Sequence, residues 1–449
     1  MGQRRHRAPR GELKTMARAG IMRSVAWGTL VLSAAGFAGC VVREKDHRTT
    51  VRFAVWATAA QQRVEEEIIR EFERSQPDVR VELLAFEFSS FDAKVQAMMV
   101  GGEAPDVMLV KNSTYDDWAA RSVLADLTPL VQAMDREDKL MPAARTIFER
   151  NGRYFAFPVN VHGLVTYVNL DALAAAGVTL PVDGLSWDEI WKIAPRLSRR
   201  AGNPRAPTDY ALLEPPPYPV LAEFGGALFD DSHRPTKVVI DSAPGRAWVE
   251  WCQRLASSGW CAPRATASDQ GTYQLFRDGR VALFFSGRWQ VPDFAGHTGF
   301  NWDVRPFPSG PHGRTTMHGG TGIAVAAASR APEAARQFAQ FYAGRRGAEI
   351  AMRAGRTVPV QRGLAHSPEF LGLHPPASPR CFVDTMEAGA ASYWLYAPGA
   401  PEVSKIVTSR MDEALSDPSL SASVVTKRMH DDLVRWLARQ QRAGLIPSP

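Results

Sequence analysis

An α/β fold with more than one domain is predicted by two features of the sequence. Apolar runs of strand length alternate with amphipathic runs of helix length, and short polar loops separate them, which is typical of a parallel sheet flanked by helices. The pattern begins with the strands Val51–Trp56 and Val79–Phe86 and with the helices Gln61–Ser75 and Phe91–Val100. The second feature is length, because about 410 residues follow an N-terminal leader, more than one hydrophobic core usually supports.

The loops after the predicted strands are the expected place for a ligand. A third strand, Val107–Val110, is followed by the polar loop Asn112–Thr114. Ligands of open α/β sheets bind outside the carboxyl ends of the strands. The expected ligand-facing segments are therefore Trp56–Thr58, Lys111–Thr114 and Val159–His162.

A strand–proline–strand–helix stretch indicates a passage between two units. The Asn151-Gly152 pair suits a tight turn, and the short apolar strand Arg153–Phe157 follows it. Pro158 has no amide proton and is expected to end strand pairing. A second strand, Leu164–Val168, then leads into a helix. This order is typical of a chain that leaves one α/β unit and enters another; one continuous βαβ element within a single domain is the alternative.

The first 39 residues are predicted to be an export signal rather than part of the fold. Basic residues precede the apolar run Val25–Ala38, which is too short to span a bilayer comfortably. The run ends in Phe37-Ala38-Gly39-Cys40, which resembles the lipobox of bacterial lipoproteins. The resemblance implies that Cys40 carries the lipid and that residues 40–49 form a tether. An ordinary signal peptide or an uncleaved anchor is the alternative.

The leader also explains the basic character of the chain. It holds seven Lys and Arg residues and one acidic residue, so it accounts for the whole net charge of +6. The remainder is close to neutral, and the composition of the whole chain, with 45% hydrophobic and 22% charged residues, is ordinary for a globular protein. Nonspecific binding of polyanions needs clustered Lys and Arg, so no nucleic-acid partner is expected.

The cysteines and histidines predict neither a metal site nor a cofactor. Cys252 and Cys261 lie nine positions apart, a spacing that a helix end and a loop could close as a disulfide in an exported protein, and a reduced pair is the alternative. Cys381 is expected to be a buried thiol. The His and Cys residues lack the spacings of metal-ligand motifs.

Eight segments, in order along about 310 residues, resemble the extracellular solute-binding proteins of bacterial ABC sugar importers, the family that includes maltose-binding protein. The segments are VRFAVW; GGEAPDVMLV with SVLADLTPLV; NGRYFAFPVNVHGLVTYVNLDAL; LSWDEIWKIAPRL; EFGGALFDD; FRDGRVALFFSGRW; GGTGIAVAAAS with PEAARQFAQFYAG; and GRTVPVQRG.

The resemblance implies an α/β, two-lobed, periplasmic-binding-protein-like fold. Each lobe would be a mainly parallel sheet flanked by helices, and crossing strands would join the lobes around a ligand cleft that closes on binding. The expected lobes are residues 50–159 plus 308–361 and residues 160–307 plus 362–449. The chain would cross near Val159–Gly163, Val304–Ser309 and Gln361–Leu364.

The same resemblance assigns candidate ligand-binding residues. Trp289 stands at the family's Gly-x-Trp position, where an aromatic face stacks on a sugar ring. Trp56, at the end of the first strand, is expected to stack on a sugar in the same way. His162 stands where the maltodextrin binders have Glu. Ser113 and Thr114 stand where those binders have charged residues. Each could instead be structural, as a core Trp or a surface His.

Four further positions complete the expected site. Tyr218 lies near a family aromatic, and Trp394 could add another stacking face. Gly319 and Gly320 open a strand where backbone amides can approach a ligand. Because Arg288 lies beside Trp289, an anionic ligand is an alternative to a neutral sugar.

The resemblance implies a binding protein rather than an enzyme. It would capture a mono- or oligosaccharide in the cleft and deliver it to the transmembrane permease of an ABC importer. A monomer is expected, lipid-anchored on the periplasmic or extracellular face. The alternatives are a secreted carbohydrate-active hydrolase, although the predicted cleft supplies no pair of carboxylates, and a sensory or scavenging binding protein without transport.

Overall fold

Two mixed β-sheets flanked by helices organise the chain in the computed structural model. The structure describes residues 47–199, 202–262, 269–296, 299–355, 357–387, 396–417 and 419–447. The strands are β1 (Thr49–Trp56), β2 (Val79–Phe86), β3 (Val107–Lys111), β4 (Phe157–His162), β5 (Val165–Asn169), β6 (Tyr210–Leu213), β7 (Cys261–Ala262), β8 (Val281–Ser286), β9 (Trp302–Pro306), β10 (Ser309–Gly310), β11 (Gly313–Arg314), β12 (Gly319–Val325) and β13 (Val358–Pro359).

The helices surround these sheets. They are α1 (Ala59–Ser75), α2 (Phe91–Val100), α3 (Asn112–Ala120), α4 (Thr128–Asp138), α5 (Pro142–Phe148), α6 (Leu170–Ala175), α7 (Trp187–Leu197), α8 (Pro217–Glu223), α9 (Ala243–Ala256), α10 (Asp269–Arg277), α11 (Val291–Ala295), α12 (Pro332–Ala343), α13 (Arg345–Arg353), α14 (Arg362–Ala365), α15 (Pro368–Leu371), α16 (Arg380–Glu387), α17 (Ala400–Ser416) and α18 (Ala422–Arg442), with a short 3₁₀ helix at Arg288–Gln290. None of the helices in the described part of the chain is long and apolar enough to cross a membrane.

The six-stranded sheet has the order β13–β4–β12–β3–β1–β2 and the five-stranded sheet has the order β7–β6–β8–β5–β9. We call the six-stranded sheet with its helices the first lobe and the five-stranded sheet with its helices the second lobe. The chain passes from β4 to β5 through Gly163-Leu164 and returns between β9 and β12. The chain from His47 to Pro449 is one compact unit.

Both sheets are mixed, which differs from the mainly parallel sheets expected. In the first lobe β1 pairs in parallel with β2 and β3, whereas β12 runs antiparallel to β3 and β4. In the second lobe β6 pairs in parallel with β7 and β8, whereas β5 runs antiparallel to β8 and β9. The reason is the crossing itself, because β5 and β12 enter their sheets from the other lobe rather than through a helical βαβ connection.

Local sequence explains where several elements begin. Thr58 caps α1 through a reciprocal pair of hydrogen bonds with Gln61, and Ser186 caps α7 in the same way with Glu189. Asn151 and Gly152 both have positive φ, 55° and 76°, as the predicted tight turn requires.

The structure corrects two local predictions. The strand predicted at Arg153–Phe157 begins only at Phe157 and runs through Pro158 to His162. Pro158 does not end the pairing, because it lies opposite Gly322, where the register between β4 and β12 shifts and the ladder is already irregular. The polar segment Asn112–Thr114 is the first turn of α3 rather than a loop.

The disulfide between Cys252 and Cys261 is absent from the structure. Cys252 lies within α9, a full turn before its end, and Cys261 lies in β7, so the pair does not join a helix end to a loop as the spacing suggested. Cys261 is buried, and its thiol donates to the Ala262 carbonyl at 3.7 Å. Burial raises the pKa of the Cys381 thiol to about 12, which keeps it protonated.

Candidate ligand-binding site

One edge of the six-stranded sheet collects most of the predicted ligand-binding residues. His162 ends β4 and lies opposite Gly319 at the start of β12, and Lys111 ends β3 opposite Thr321. Trp56 ends β1 at the same edge. Because neighbouring strands lie about 4.8 Å apart, the line of strand ends from His162 to Trp56 covers three spacings, roughly 14 Å.

The second lobe presents Trp289 to this edge. β8 ends at Ser286, directly opposite Val165 at the start of β5, so the residues after β8 lie beside the crossing. The Trp289 ring meets the His162 ring edge to face, with centroids 4.9 Å apart and planes at 82°. Both side chains are half-buried. The structure thus brings two predicted residues from different lobes into direct contact.

Two glycines make this contact possible. A Cβ atom on Gly319 would lie 2.2 Å from Nε2 of His162, so the backbone of β12 passes directly over the imidazole. A Cβ atom on Gly287 would lie 1.9 Å from the Trp289 ring, which folds back over its own turn. The amide of Gly320, which follows Gly319 in β12, donates to Oδ1 of Asn112 at 3.4 Å.

His162 is neutral at physiological pH. Burial, together with the nearby His318, lowers the pKa of His162 to about 4. His318 is itself buried, which lowers its pKa, and its Nε2 donates to the Thr385 carbonyl at 3.2 Å. A neutral imidazole has one donor and one acceptor, so His162 can do either for a hydroxyl group of a ligand.

Trp56 lies in a cluster of aromatic and charged side chains that sequence reasoning did not identify. Its ring meets Phe88 and Phe91 edge to face, with centroids 5.8 and 5.0 Å away. Nζ of Lys111 lies 3.9 Å from the Phe88 centroid and binds Oδ2 of Asp92 at 2.9 Å. The available signal was the aromatic spacing in Phe86-Glu87-Phe88 and Phe91, directly after a predicted strand.

The other predicted positions are placed less favourably for ligand contact. Thr114 is buried and its hydroxyl donates to the Lys111 carbonyl at 3.3 Å, while Ser113 is half-buried in the same turn. Tyr218 lies in α8, where only 7% of its surface is exposed, among the core side chains of the second lobe. Trp394 lies outside the described residues.

Arg288 is a buried cation next to Trp289. Only 1% of its surface is exposed, and its Nε and Nη1 atoms have no hydrogen-bond partner in the described part of the chain. Its guanidinium lies 4.6 Å from the ring centroid of Phe370 and 5.3 Å from that of Phe382. Burial lowers the pKa of Arg288 to about 10, so the group still carries its charge at neutral pH.

A loop of the second lobe reaches the first lobe on another side of the site. We call residues 231–234 the strap. Oδ1 of Asp231 accepts from the amides of His233 and Arg234 at 2.7 and 2.8 Å, which fixes the loop shape. Nε2 of His233 donates to the Thr146 carbonyl at 3.1 Å, and Arg234 donates to the side chain of Asn151.

The strap is supported by Tyr396. Its ring lies 4.8 Å from that of His233, its amide donates to the Ser232 carbonyl at 2.7 Å, and its hydroxyl donates to the His318 carbonyl at 3.1 Å. The buried ion pair of Arg150 with Asp116 lies beside it, with the guanidinium 5.4 Å from the Tyr396 ring. The lobes are therefore held together by polar contacts in addition to the crossing strands.

Curated relatives are found among sugar-binding proteins and lipoproteins. The chain is 24% identical over 297 residues to an arabinooligosaccharide-binding protein of Bacillus subtilis, with 62% of this chain and 65% of that protein covered. It is 30% identical over 266 residues to an uncharacterised lipoprotein of Streptomyces antibioticus, with 56% of each covered. The chain thus spans less than two thirds of the length of these relatives.

Solved structures of similar fold cover most of the chain. An ABC substrate-binding protein of Listeria monocytogenes, in complex with cycloalternan, superposes with a TM-score of 0.77 at 22% identity, covering 87% of this chain and 99% of that one. The GacH receptor of Streptomyces glaucescens, solved unliganded and with acarbose, gives a TM-score of 0.76 at 22% identity and the same coverage. These likenesses confirm the two-lobed α/β fold.

The family is shown by a separate comparison. Residues 56–349, which are well over half of the chain, match the sequence model of one protein family. That stretch contains the crossing, the strand ends and Trp289. The chain belongs to the bacterial extracellular solute-binding proteins.

Proposed function

We propose that this protein captures a carbohydrate in the cleft between its lobes and delivers it to the transmembrane permease of an ABC importer. The observation that carries the proposal is the contact between Trp289 and His162. An aromatic face for the C–H groups of a sugar ring and a neutral imidazole for its hydroxyl groups lie side by side, one from each lobe. A ligand that touches both would favour the closed arrangement of the lobes.

Binding rather than catalysis is favoured by the groups at this edge. Asp92, the carboxylate that binds Lys111 beside the Trp56 ring, is already engaged in an ion pair. Cleavage of a glycosidic bond ordinarily uses two carboxylates on opposite sides of the bond. The site therefore suits recognition of hydroxyl groups, and we expect no glycosidase activity.

A thermal-shift screen tests the carbohydrate proposal. The chain from His47 on would be heated with arabinose, maltose and their longer oligomers at millimolar concentration. A ligand at a hundred times its dissociation constant stabilises the folded state by about 2.7 kcal/mol, which raises the melting temperature by several degrees. The Trp289→Ala variant is the matched control and should show a smaller shift with the same sugars. The absence of a shift with every sugar would contradict the proposal.

A ligand that carries an anionic group is the second candidate, and Arg288 is the observation that favours it. Among the described residues no carboxylate pairs with this buried guanidinium, which would therefore gain free energy from an anion. The screen therefore includes glycerophosphocholine. A shift with this compound that disappears in Arg288→Met, where the side chain keeps its apolar contacts, would support the second candidate over the first.

The proposal includes a lipid anchor at Cys40 on the outer side of a cell membrane, and a monomeric protein. The support is the sequence before Cys40 and the likeness to a lipoprotein of Streptomyces antibioticus. Cys40→Ala should release the protein from the membrane fraction or leave its leader uncleaved. The adjacent change Val41→Ala, which keeps the acceptor thiol, should leave the partitioning unchanged. Membrane retention of the Cys40→Ala protein with its leader removed would contradict the anchor.

A further inference from the structure

A cavity of about 580 Å³ lies at the end of β9, the edge strand of the second sheet. Its walls come from the loop before α7, the end of β9, the segment after β11 and the start of α16. Val165 at the start of β5 pairs with Pro306 of β9 on one side and with Ser286 of β8 on the other. The cavity therefore lies across the crossing strand from Trp289, which follows β8, and it is separate from the Trp289–His162 contact.

Arg314 brings a guanidinium outside any ion pair to the rim of this cavity. Its Nε donates to the Phe307 carbonyl at 2.6 Å and its Nη2 donates to the Asp183 carbonyl at 2.5 Å. Nη1 keeps its donors, and no carboxylate of the described residues lies at ion-pair distance from Arg314. Because the side chain is exposed, a ligand can reach it.

The other charged groups of the cavity are mostly paired. The pairs are Arg305 with Asp303, at 2.6 Å, and Arg380 with Asp384, at 3.4 Å. Arg380 uses only Nε in its pair and is 67% exposed, so its two Nη groups remain for a ligand. Asp183 lines the same rim with an exposed side chain. Val182, 83% exposed, adds an apolar surface next to these donors.

The cavity is tied to the passage between the lobes. Thr316 lines it, and the Thr316 hydroxyl donates to the Leu164 carbonyl at 3.0 Å and accepts from the Leu164 amide at 2.8 Å. Leu164 lies in the segment that joins β4 to β5. Motion of one lobe against the other would therefore change the shape of the cavity.

α16 connects the cavity to the sugar contact. This helix packs against α5 and β4 of the first lobe and against β5 and β9 of the second. Its first turn lines the cavity with Arg380. Its last turn lies on the passage between the lobes, because a Cβ atom on Gly163 would fall 2.6 Å from Cγ2 of Thr385. The Thr385 carbonyl accepts from Nε2 of His318, directly before β12, at 3.2 Å.

We propose that this cavity is a second ligand site, which takes an organic acid with an apolar body of about two rings, and that its occupancy raises the affinity of the cleft for sugar. The carboxylate of the ligand binds Arg314 and Arg380, and its apolar body lies on Val182 and Pro306. An acid bound in this arrangement of the lobes favours the same closed state as the sugar. The coupling rests on the proposed function, whereas the acid site does not.

Calorimetric titration with indoleacetate tests the acid site, and indoleacetamide is the neutral ligand of the same shape. The chain from His47 on should bind the acid and not the amide. Arg314→Gln and Arg380→Gln should each weaken the acid about tenfold, as expected for loss of a hydrogen bond to a charged group. Asp183→Asn should strengthen it, because a negative charge leaves the rim. Arg336→Gln, in α12 of the first lobe, is the control and should change nothing.

Two measurements locate the acid and test the coupling. Trp289→Ala and Arg288→Met should retain the parent affinity for indoleacetate, whereas an acid bound in the cleft would be weakened by them. Saturating indoleacetate should raise the affinity for the sugar found by thermal shift about fivefold, and the sugar should raise the affinity for the acid by the same factor.

The outcomes separate this inference from the proposed function. Absence of acid binding, equal binding of acid and amide, or unchanged acid affinity in Arg380→Gln would overturn the second site and its coupling. Acid binding that leaves the sugar affinity unchanged or lowers it would overturn the coupling. Binding of no sugar would overturn the proposed function and the coupling with it, while the acid titrations would still decide the second site.

Discussion

The imidazole of His162 and the indole of Trp289 meet edge to face, with their centroids 4.9 Å apart, although His162 ends β4 of the first lobe and Trp289 lies in the 3₁₀ helix after β8 of the second lobe. Gly319 and Gly287 leave the room for this approach, because a methyl group on either would overlap a ring. The contact lies beside Gly163-Leu164, where the chain crosses between lobes. Motion of one lobe against the other would therefore change this contact directly.

Trp289→Ala should weaken carbohydrate binding far more than it weakens the fold. Loss of a stacking face of this kind is expected to reduce the binding free energy by about 2–3 kcal/mol, by analogy with aromatic residues at the centre of interfaces. That corresponds to roughly 30- to 150-fold in the dissociation constant. Calorimetric titration with the sugar found by thermal shift measures it, and urea unfolding measures stability.

Trp248→Ala is the matched control for this change. Trp248 is completely buried in the second lobe, so its truncation should reduce the free energy of unfolding by about 3–5 kcal/mol. Trp289→Ala should reduce the free energy of unfolding clearly less, because Trp289 is only half-buried. Similar losses of stability in the two variants, with unchanged sugar affinity in Trp289→Ala, would make Trp289 a core residue.

Acid should destabilise the protein through His162. The pKa of His162 is lowered to about 4 in the folded protein, while an unfolded imidazole titrates near 6.5. The unfolded chain therefore binds the proton more readily between these values, and the stability that is complete above pH 6.5 is lost as the pH falls towards 4. Urea midpoints measured from pH 7 to pH 4 should fall less in His162→Asn than in the parent.

Two further measurements isolate this effect. The buried His318 also has a lowered pKa and contributes in the same direction, so the decline should be reduced in His162→Asn and not abolished. His47→Asn, at an exposed position, should follow the parent at every pH. The same acid response in His162→Asn and the parent would show that His162 is not buried in the neutral form.

The fold could be predicted from the sequence because the local strand, helix and turn patterns agree with the two-lobed architecture. The strand Val79–Phe86 and the helix Phe91–Val100 are observed with the bounds predicted from the sequence. Asn151 and Gly152 adopt the positive φ values of the predicted turn. Pro158 was misjudged because its missing amide is tolerated where the pairing of β4 with β12 is already irregular.

The site was only partly predictable because side chains distant in sequence complete it. A resemblance identifies Trp289 and His162 separately, but their contact also depends on the close approach that Gly287 and Gly319 allow, which only the folded structure shows. Phe88 has no strand or helix periodicity to mark it. Its orientation depends on Lys111, which the topology places two strands away, at the end of β3.

Removing the strap should shift the lobes towards an open arrangement. His233 and Arg234 of the second lobe bind Thr146 and Asn151 of the first, and His233→Ala with Arg234→Ala removes both hydrogen bonds. Neither residue lies among the proposed sugar contacts, so any loss of affinity would reflect a smaller population of the closed state. We expect a 3- to 10-fold weaker sugar affinity, in line with about 0.5 kcal/mol for each of the two exposed hydrogen bonds.

X-ray scattering distinguishes this mechanism from damage to the site. The double variant without ligand should have a larger radius of gyration than the parent, and a saturating sugar should restore the parent value. Arg346→Ala, which removes an exposed ion pair with Glu71 within the first lobe, is the control and should change neither quantity. Unchanged affinity and scattering in the double variant would mean that the strap does not hold the lobes together.

Glu223 should destabilise the protein as the pH rises, opposite to His162. It is fully buried between α8 and the β10–β11 hairpin, where Nε1 of Trp187 donates to it at 2.6 Å and the amide of Thr315 donates at 3.2 Å. Burial raises the pKa of Glu223 to about 8 from an ordinary value of 4.5. The folded protein therefore holds this proton more tightly than the unfolded chain, and the stability it contributes below pH 4.5 is lost progressively as the pH rises to 8.

Glu223→Gln keeps an oxygen that can accept from Trp187 and cannot ionise. Its stability relative to the parent should therefore increase steadily from pH 4.5 to pH 8 and stay constant above that. The pKa rises from 4.5 to about 8. Because one pKa unit corresponds to about 1.4 kcal/mol, the increase should be on the order of 5 kcal/mol. Urea unfolding across this range measures it, with Glu82→Gln on the exposed side of β2 as the control. A difference between Glu223→Gln and the parent that is the same at every pH would mean that Glu223 is ionised in the folded protein throughout, held by the two donors that face it.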